Sequence, residues 1–492
     1  MNAAGRGRWR WTERGLLGLV LLFSALRLAA APAFELFPQE AYYDLYARHL
    51  ALSYFDHPPL IAWALAAFTA LFGQHALTLR LCAFGLTTVT QVLLWTLVRE
   101  AVPAARRPAA LLFLITPALS VLSLISTPDV PLLLFWTATL LCAWRAVHRH
   151  GGYWLAAGLC AGLACDGKYT AAYLPVGIAL WLGAAAPRQL RSPWLWGGAL
   201  LGALATAPVI FWNATHGFAS FRFQTVDRVA AAPGLQLRFL GGLLATQTAL
   251  LGVALFVAVL WAVLWAALRA PRLWRAALGE RRFAAVFFAV FSLPPLLGFL
   301  ALSLFAQVKP NWLLAAYVAA VPFVALVLPA PERLIWPTLA WSVAVQLLGA
   351  VELVTAAVPI RSDDTCFGWG ALATAVAPLR PAGGFVFAAD GYKTSAELEF
   401  YGGGKVYAGN VLGLPGLQYD FLGDDLSALQ GQDALFLDSD PASVDPGKAP
   451  AAPARLLSHF VTVEQLDPLL LPAHGRVLRK FYAWRCRGYR GP

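Results

Sequence analysis

Four titratable side chains, Glu40, Asp44, Asp56 and His57, crowd into residues 35–60, ELFPQEAYYDLYARHLALSYFDHPPL, a polar and aromatic island between strongly apolar segments. Carboxylates and an imidazole held near a membrane boundary are groups that can move protons to and from a substrate. Tyr42 and Tyr43 follow Glu40 and add hydroxyls and ring faces. Further along, single charges recur in short turns: Asp129 after Thr127-Pro128, Lys168 after Asp166-Gly167, Arg222 between Phe221 and Phe223, and Lys309 before Pro310-Asn311. An arginine fork grips a phosphate in two places, whereas a lysine meets it as a point charge. The chemistry suggested is proton handling beside anion binding.

These groups must be positioned by membrane helices. The chain has 492 residues, of which 59% are hydrophobic and 13% charged, with a mean hydropathy of +0.63. That composition excludes an ordinary soluble protein and gives an all-α polytopic membrane protein. Apolar runs recur at 16–31, 77–98, 109–124, 130–147, 153–164, 169–185, 194–212, 239–268, 283–305, 312–328 and 335–358, about eleven transmembrane helices at the usual span length. The run at 153–164 is short for a full crossing. Residues 57–72 are another short apolar stretch that opens with Pro58-Pro59, so they read as a helix in the interface, with a crossing as the alternative. Residues 39–50 read as a helix, with Pro38 at its start and Glu40 in the first turn, where the helix dipole favours a carboxylate.

The net charge of +11 points to topology rather than nucleic acid. Arginines gather before the first run (Arg6, Arg8, Arg10, Arg14), after the second (Arg99, Arg106, Arg107), the fourth (Arg145, Arg149), the sixth (Arg188, Arg191) and the eighth (Arg269, Arg272, Arg275, Arg281, Arg282). Every second loop is basic, so the positive-inside rule puts the amino terminus in the cytoplasm, and an odd span count exports the C-terminal part. A cleaved signal peptide is the alternative for the first run and leaves the remaining topology unchanged. Nearly all versatile side chains then lie on the exported side.

Residues 1–358 form the membrane domain, with a first external loop at 35–75. Residues 359–492 read as a small α/β domain outside the membrane, with strands at 384–389, 405–408, 434–437 and 477–484 and a helix at 394–400. Cys366 and Cys486 lie near the two ends of this tail, and a disulfide between them in an oxidising compartment is an open alternative. No P-loop, GxGxxG turn, CxxC pair or nucleophile elbow occurs, which leaves ATP-driven pumping without support.

Each candidate has a bland reading beside the functional one. An ionisable side chain at membrane depth costs about 2.5–3.5 kcal/mol, so it faces a cavity or a partner. Asp129 opens a span and is suited to capping its helix. Lys168 can pair with Asp166. Arg222, and Arg80 near the outer end of the second run, can snorkel to the headgroups.

The motifs Gln39-Glu40-Ala41-Tyr42-Tyr43 and Tyr54-Phe55-Asp56-His57-Pro58-Pro59 resemble those of the bacterial GT-C glycosyltransferases, relatives of protein O-mannosyltransferases and of the lipid A aminoarabinose transferase. The likeness continues through Ser126-Thr127-Pro128-Asp129, Gly167-Lys168-Tyr169-Thr170, Trp212-Asn213 with His216-Gly217, Ser220-Phe221-Arg222-Phe223-Gln224 and Lys309-Pro310-Asn311-Trp312. It implies inverting transfer of a sugar from a polyprenyl-phosphate donor to lipid A, another glycolipid, a polysaccharide or a protein at the periplasmic face of a bacterial inner membrane. The family commonly opens the first-loop helix with two acids, but Gln39 leaves only Glu40 there. Glu40, then Asp129, is the expected base or sugar-orienting carboxylate. Tyr42, Tyr43, Asp56, His57, Arg80, Lys168, Tyr169, Asn213, His216, Arg222, Lys309 and Asn311 are expected to bind substrate. No cofactor or metal is demanded, although Glu40 and Asp129 are compatible with a divalent cation. A flippase for lipid-linked sugars would call for inverted repeats with matching broken spans, which the sequence lacks; an assembly factor would leave the polar loops on one face unexplained.

Overall fold

The computed structural model describes residues 13–227, 234–275, 279–358, 362–440, 452–473 and 476–492. Three of the four arginines before the first span, Arg6, Arg8 and Arg10, fall outside them. Helix α1 (Glu13–Ala30) is followed by α2 (Pro38–Arg48), α3 (Leu60–Phe72), α4 (Ala76–Ala101), α5 (Arg106–Leu114), α6 (Pro117–Leu122), α7 (Asp129–His148), α8 (Tyr153–Gly167), α9 (Tyr173–Ala185), α10 (Pro193–Ala205) and α11 (Ala207–Thr215). After it come α12 (Leu237–Leu251), α13 (Val253–Arg275), α14 (Glu280–Leu302), α15 (Leu314–Val327) and α16 (Ile335–Thr355).

Every expected apolar run is helical, but not every run is one straight span. Among the described residues five helices are long and apolar enough to cross a membrane, and eight if each bent pair counts as one span. The run at 109–124 is divided at Pro117, which opens α6. The run at 239–268 is two helices meeting at 117°, because Gly252 takes a φ of +85° that a side chain would disfavour. The helix expected at 57–72 is present as α3, starting after Pro58-Pro59.

Packing follows apolarity on all sides. The hydrophobic windows of α7 and of Pro310–Val327 are 72% and 78% buried, whereas that of Pro331–Thr355 is only 17% buried, so the first two form the core of the bundle and the last is its lipid-facing rim. Helices α8 and α10 cross at their glycines. A Cβ on Gly158 would fall 1.9 Å from the Gly198 carbonyl oxygen, and one on Gly198 would fall 2.1 Å from that of Trp154. Small residues let the two backbones touch where lipid offers no hydrophobic drive.

The C-terminal part carries α17 (Trp369–Val376), α18 (Lys393–Gly402) and strands β1 (Phe385–Ala388), β2 (Ala434–Ser439), β3 (Phe460–Gln465), β4 (Leu469–Ala473) and β5 (Arg476–Tyr489). The sheet order is β1-β2-β5-β3, with β4 also paired to β5; β1 and β2 are parallel and the other pairs antiparallel. The expected strand at 405–408 is reduced to one bridge between Phe387 and Tyr407. Strands β3 and β4 were not anticipated; both lie on the long β5, whose 14 residues give them an edge to pair with. Cys366 and Cys486 are free, buried thiols rather than a disulfide.

The glycine crossing is directly testable. Gly158→Ala and Gly198→Ala each lower stability by about 1–3 kcal/mol, the cost of overpacking, seen as a lower unfolding midpoint in detergent. Gly183→Ala, where a Cβ meets nothing within 4 Å, leaves the midpoint unchanged.

Candidate active site

The first carboxylate is placed by a local capping arrangement. Phe37 is extended, Pro38 starts α2, and the Phe37 amide donates to Glu40 Oε2 at 3.2 Å. The Ser126 amide reaches Glu40 Oε1 at 3.3 Å, and Arg80 Nη2 lies 3.7 Å from Oε2. Glu40 is wholly buried. Burial pushes its pKa up, and the Arg80 charge and the two amides only partly offset this.

Arg80 is not aimed at a lipid phosphate. It is 1% exposed and donates to the carbonyls of Ala31, of Phe34 at 2.7 Å and of Glu35 at 2.7 Å. Its two terminal nitrogens are engaged by backbone at the turn between α1 and α2 and by the nearby Glu40, while Nε is buried without a hydrogen-bond partner.

The second carboxylate is shared among three separated loops. Lys168 Nζ meets the two oxygens of Asp129 at 2.8 and 2.9 Å, and Asn311 Nδ2 donates to Asp129 Oδ2. Asp129 caps nothing, because Pro128 holds the cap position and no side-chain capping bond is made. Lys168 therefore pairs with Asp129 and not with its sequence neighbour Asp166, whose carboxylate oxygens are buried without a hydrogen bond.

A third cluster surrounds Asp56. The Tyr46 hydroxyl donates to Asp56 Oδ1, Tyr46 stacks on Tyr54 with ring centres 4.1 Å apart, and Gln224 Nε2 donates to the Asp56 carbonyl at 2.5 Å. Burial and the Asp56 charge push the Tyr42 and Tyr46 hydroxyls well above the ordinary tyrosine range. Tyr43 packs edge-on against His57 at 5.7 Å. The Tyr169 and Ser220 hydroxyls are 2.7 Å apart, and Asn213 Oδ1 accepts from the Phe221 amide at 3.2 Å. His216 is exposed and stacked on Trp212 at 4.2 Å; Arg222 and Lys309 are also exposed.

The C-terminal domain completes these clusters, which sequence reasoning missed. Tyr392 stacks on Tyr42 at 4.0 Å, and the Gln418 amide donates to the Tyr42 hydroxyl at 2.9 Å. Phe421 lies among Phe55 (5.3 Å), Trp212 (5.6 Å) and His216 (6.0 Å). The available signal was the run of aromatics Tyr392, Tyr419 and Phe421 in segments otherwise punctuated as loops. Glu40 and Asp129, the pair compatible with a divalent ion, are engaged by Arg80 and Lys168, and among the described residues no group of three or more metal-ligating side chains comes together.

Residues 56–212 match the family described as dolichyl-phosphate-mannose-protein mannosyltransferase, a segment that includes Asp56, His57, Arg80, Asp129, Lys168 and Tyr169. Over 312 residues the chain is 29% identical to the lipid A galacturonosyltransferase RgtD of Rhizobium johnstonii, an alignment covering 62% of this chain and 63% of that protein. It therefore spans a little under two thirds of that relative's length. The crystal structure of ArnT from Cupriavidus metallidurans bound to undecaprenyl phosphate shares its fold, with a TM-score of 0.60 at 14% identity, covering 96% of this chain and 98% of that one. Apo ArnT gives the same score over 95% of this chain. The chain has a GT-C-type fold. As in the GT-C fold of ArnT, one chain supplies both the helical membrane part and the small sheet domain.

The buried ion pair predicts its own test. Lys168→Met strands Asp129 and destabilises the protein by about 3–5 kcal/mol. Lys168→Met combined with Asp129→Leu recovers much of that loss in the same thermal unfolding measurement, because no charge is left unpaired.

Proposed function

We propose that this protein transfers a sugar from a polyprenyl-phosphate donor to a lipid acceptor of the lipid A type, with inversion at the anomeric carbon. The observation that carries the reading is the pairing of Glu40 with Arg80 and of Asp129 with Lys168 and Asn311, with Gln224, two residues after exposed Arg222, bonded to Asp56, in a chain with the fold of ArnT. RgtD is named a lipid A galacturonosyltransferase, and the ArnT structure holds undecaprenyl phosphate; both support this choice of acceptor and carrier.

In this reading the membrane domain is 1–358 and the tail is 359–492, and the loop-bearing end faces the periplasm of a bacterial inner membrane. The basic residues of alternate loops support that orientation. Arg222 and Lys309 hold the departing phosphate, since cations placed where charge develops lower the barrier without a metal. Lys168 is held by Asp129, which Asn311 holds in turn, and contributes positive field to the site. Glu40 takes the proton of an attacking hydroxyl; burial makes its carboxylate more basic, as a general base requires. If the acceptor group is itself a phosphate, Glu40 instead orients the sugar.

The test follows transfer from a radiolabelled polyprenyl-phosphate sugar pool into lipid, polysaccharide and protein fractions of membranes. Glu40→Gln reduces labelling of the lipid fraction by about 10²–10⁴-fold, the usual contribution of a general base, with expression intact. Unchanged labelling in Glu40→Gln and Asp129→Asn, together with altered movement of the donor across the bilayer, would overturn the transferase reading in favour of a flippase.

A further inference from the structure

Helix α18 of the C-terminal domain lies against α2, the helix that bears Glu40. Arg48 on α2 bonds Glu399 on α18 at 2.7 Å, the Leu36 amide donates to the Tyr401 hydroxyl at 2.9 Å, and Tyr42 stacks on Tyr392. Glu397 lies one helical turn before Tyr401, so it shares the face of α18 that meets the Leu36–Glu40 segment. It is completely buried, and neither of its carboxyl oxygens has a hydrogen-bond partner.

The charged groups facing it are Glu40 and Glu35 from the first-loop segment, Arg479 from β5 and Arg80 from α4. The Cys366 thiol and the Tyr401 hydroxyl complete this neighbourhood, since both sense Glu35 and Arg80. Neither cation forms an ion pair with Glu397, although Arg479 Nη1 and Arg80 Nε are buried without hydrogen-bond partners. Arg80 serves three backbone carbonyls and lies beside Glu40, while Arg479 bonds Asp363 at 2.7 Å and lies over the Trp369 ring at 3.6 Å. Glu35 accepts from the amides of Trp369 and Gly370 at the start of α17, at 2.7 and 3.0 Å. Glu40 has two amides and a nearby guanidinium to stabilise its negative charge, whereas Glu397 accepts no hydrogen bond and feels Arg479 and Arg80 only at longer range.

We propose that Glu397 is a positioning residue for Glu40: a neutral carboxylic acid, supplied by the C-terminal domain, that keeps α18 seated on α2 and leaves Glu40 as the ionised member of a buried acid pair. Two carboxyls that share a buried site do not ionise together; one keeps its proton. Burial first, and then the nearby charges of Glu40 and Glu35, push Glu397 well above the ordinary carboxyl range. Its ionisation would add a third negative charge to the seam and separate α18 from α2.

The role of Glu40 rests on the proposed transferase reading, but the protonation of Glu397 is measurable without transfer. Difference infrared spectra of wild type minus Glu397→Gln in detergent at neutral pH should show a protonated carboxyl C=O band belonging to Glu397. A carboxylate band in its place would mean that Glu397 is ionised, as in a pair with Arg479, and would overturn the proposal. The pH dependence of stability has a definite sign. The folded-state pKa lies above that of the unfolded chain, so the stabilising contribution is complete at low pH and is lost as pH rises towards the folded value. Glutamine stays neutral, so the unfolding midpoint of Glu397→Gln gains on wild type as pH rises. The transfer assay should likewise retain activity in the variant at alkaline pH where wild type declines. Identical alkaline limbs would defeat the positioning role while leaving the transferase reading intact; a C=O band without any wild-type transfer would defeat only the transferase reading and the link to Glu40 catalysis.

Discussion

Arg80 is the side chain on which the geometry of the site depends. The chain turns by 83° between α1 and α2, and a helix end leaves carbonyl groups without partners. Inside a membrane protein those groups cannot turn to bulk water. Arg80 supplies donors to Ala31, Phe34 and Glu35 across the turn and brings its remaining charge within 3.7 Å of Glu40. One guanidinium on α4 thus fixes the bend, the direction of α2 and the first carboxylate. The tyrosines at 42, 43 and 46 take their positions from that helix, and through them so do Asp56 and His57.

The other buried charges obey the same rule by different means. Asp129 has a cation and an amide donor, contributed from turns far apart in sequence. Glu40 keeps a cation at a longer distance and gains two backbone amides. Glu397 accepts no hydrogen bond and forms no ion pair, which is why neutrality is the state proposed for it. A buried ion costs several kcal/mol unless it is paired or gives up its charge. The site uses both outcomes within a single seam between the membrane helices and the sheet domain.

This rule also explains what was legible in the sequence. Asp129, Lys168 and Asn311 stand out because a charge at the end of an apolar run needs a reason, and the reason is that they meet. The residue types alone did not distinguish capping, snorkelling and pairing, because each depends on where distant turns arrive. Arg80 is the sharpest case: its partners are backbone atoms some 45 to 49 positions away, and backbone carbonyls leave no trace in a sequence. The break at Gly252 was hidden because a glycine is tolerated within an apolar run, so hydropathy alone continued the span through it. Tyr392, Gln418 and Phe421 were missed for a related reason: their contacts with the first loop are made more than 300 residues away along the chain.

The same contacts decide which part must move if Glu40 is to meet a substrate. Glu40 is fully enclosed, so either α2 or the covering domain has to give way. Helix α2 is tied through Glu40 to the Ser126 amide and through the Arg80-held turn to α4. Shifting it would strip acceptors from a buried guanidinium. The cover from the C-terminal domain rests on the Tyr42–Tyr392 stack, the Arg48–Glu399 pair and single hydrogen bonds such as Leu36 to Tyr401. Arg48 is 28% exposed in that pair, and a partly solvated ion pair contributes only about 0–1 kcal/mol. Water can replace the polar contacts of α18, whereas nothing at membrane depth can replace those of Arg80. Opening therefore belongs to the C-terminal domain, with α2 remaining the fixed wall against which it closes.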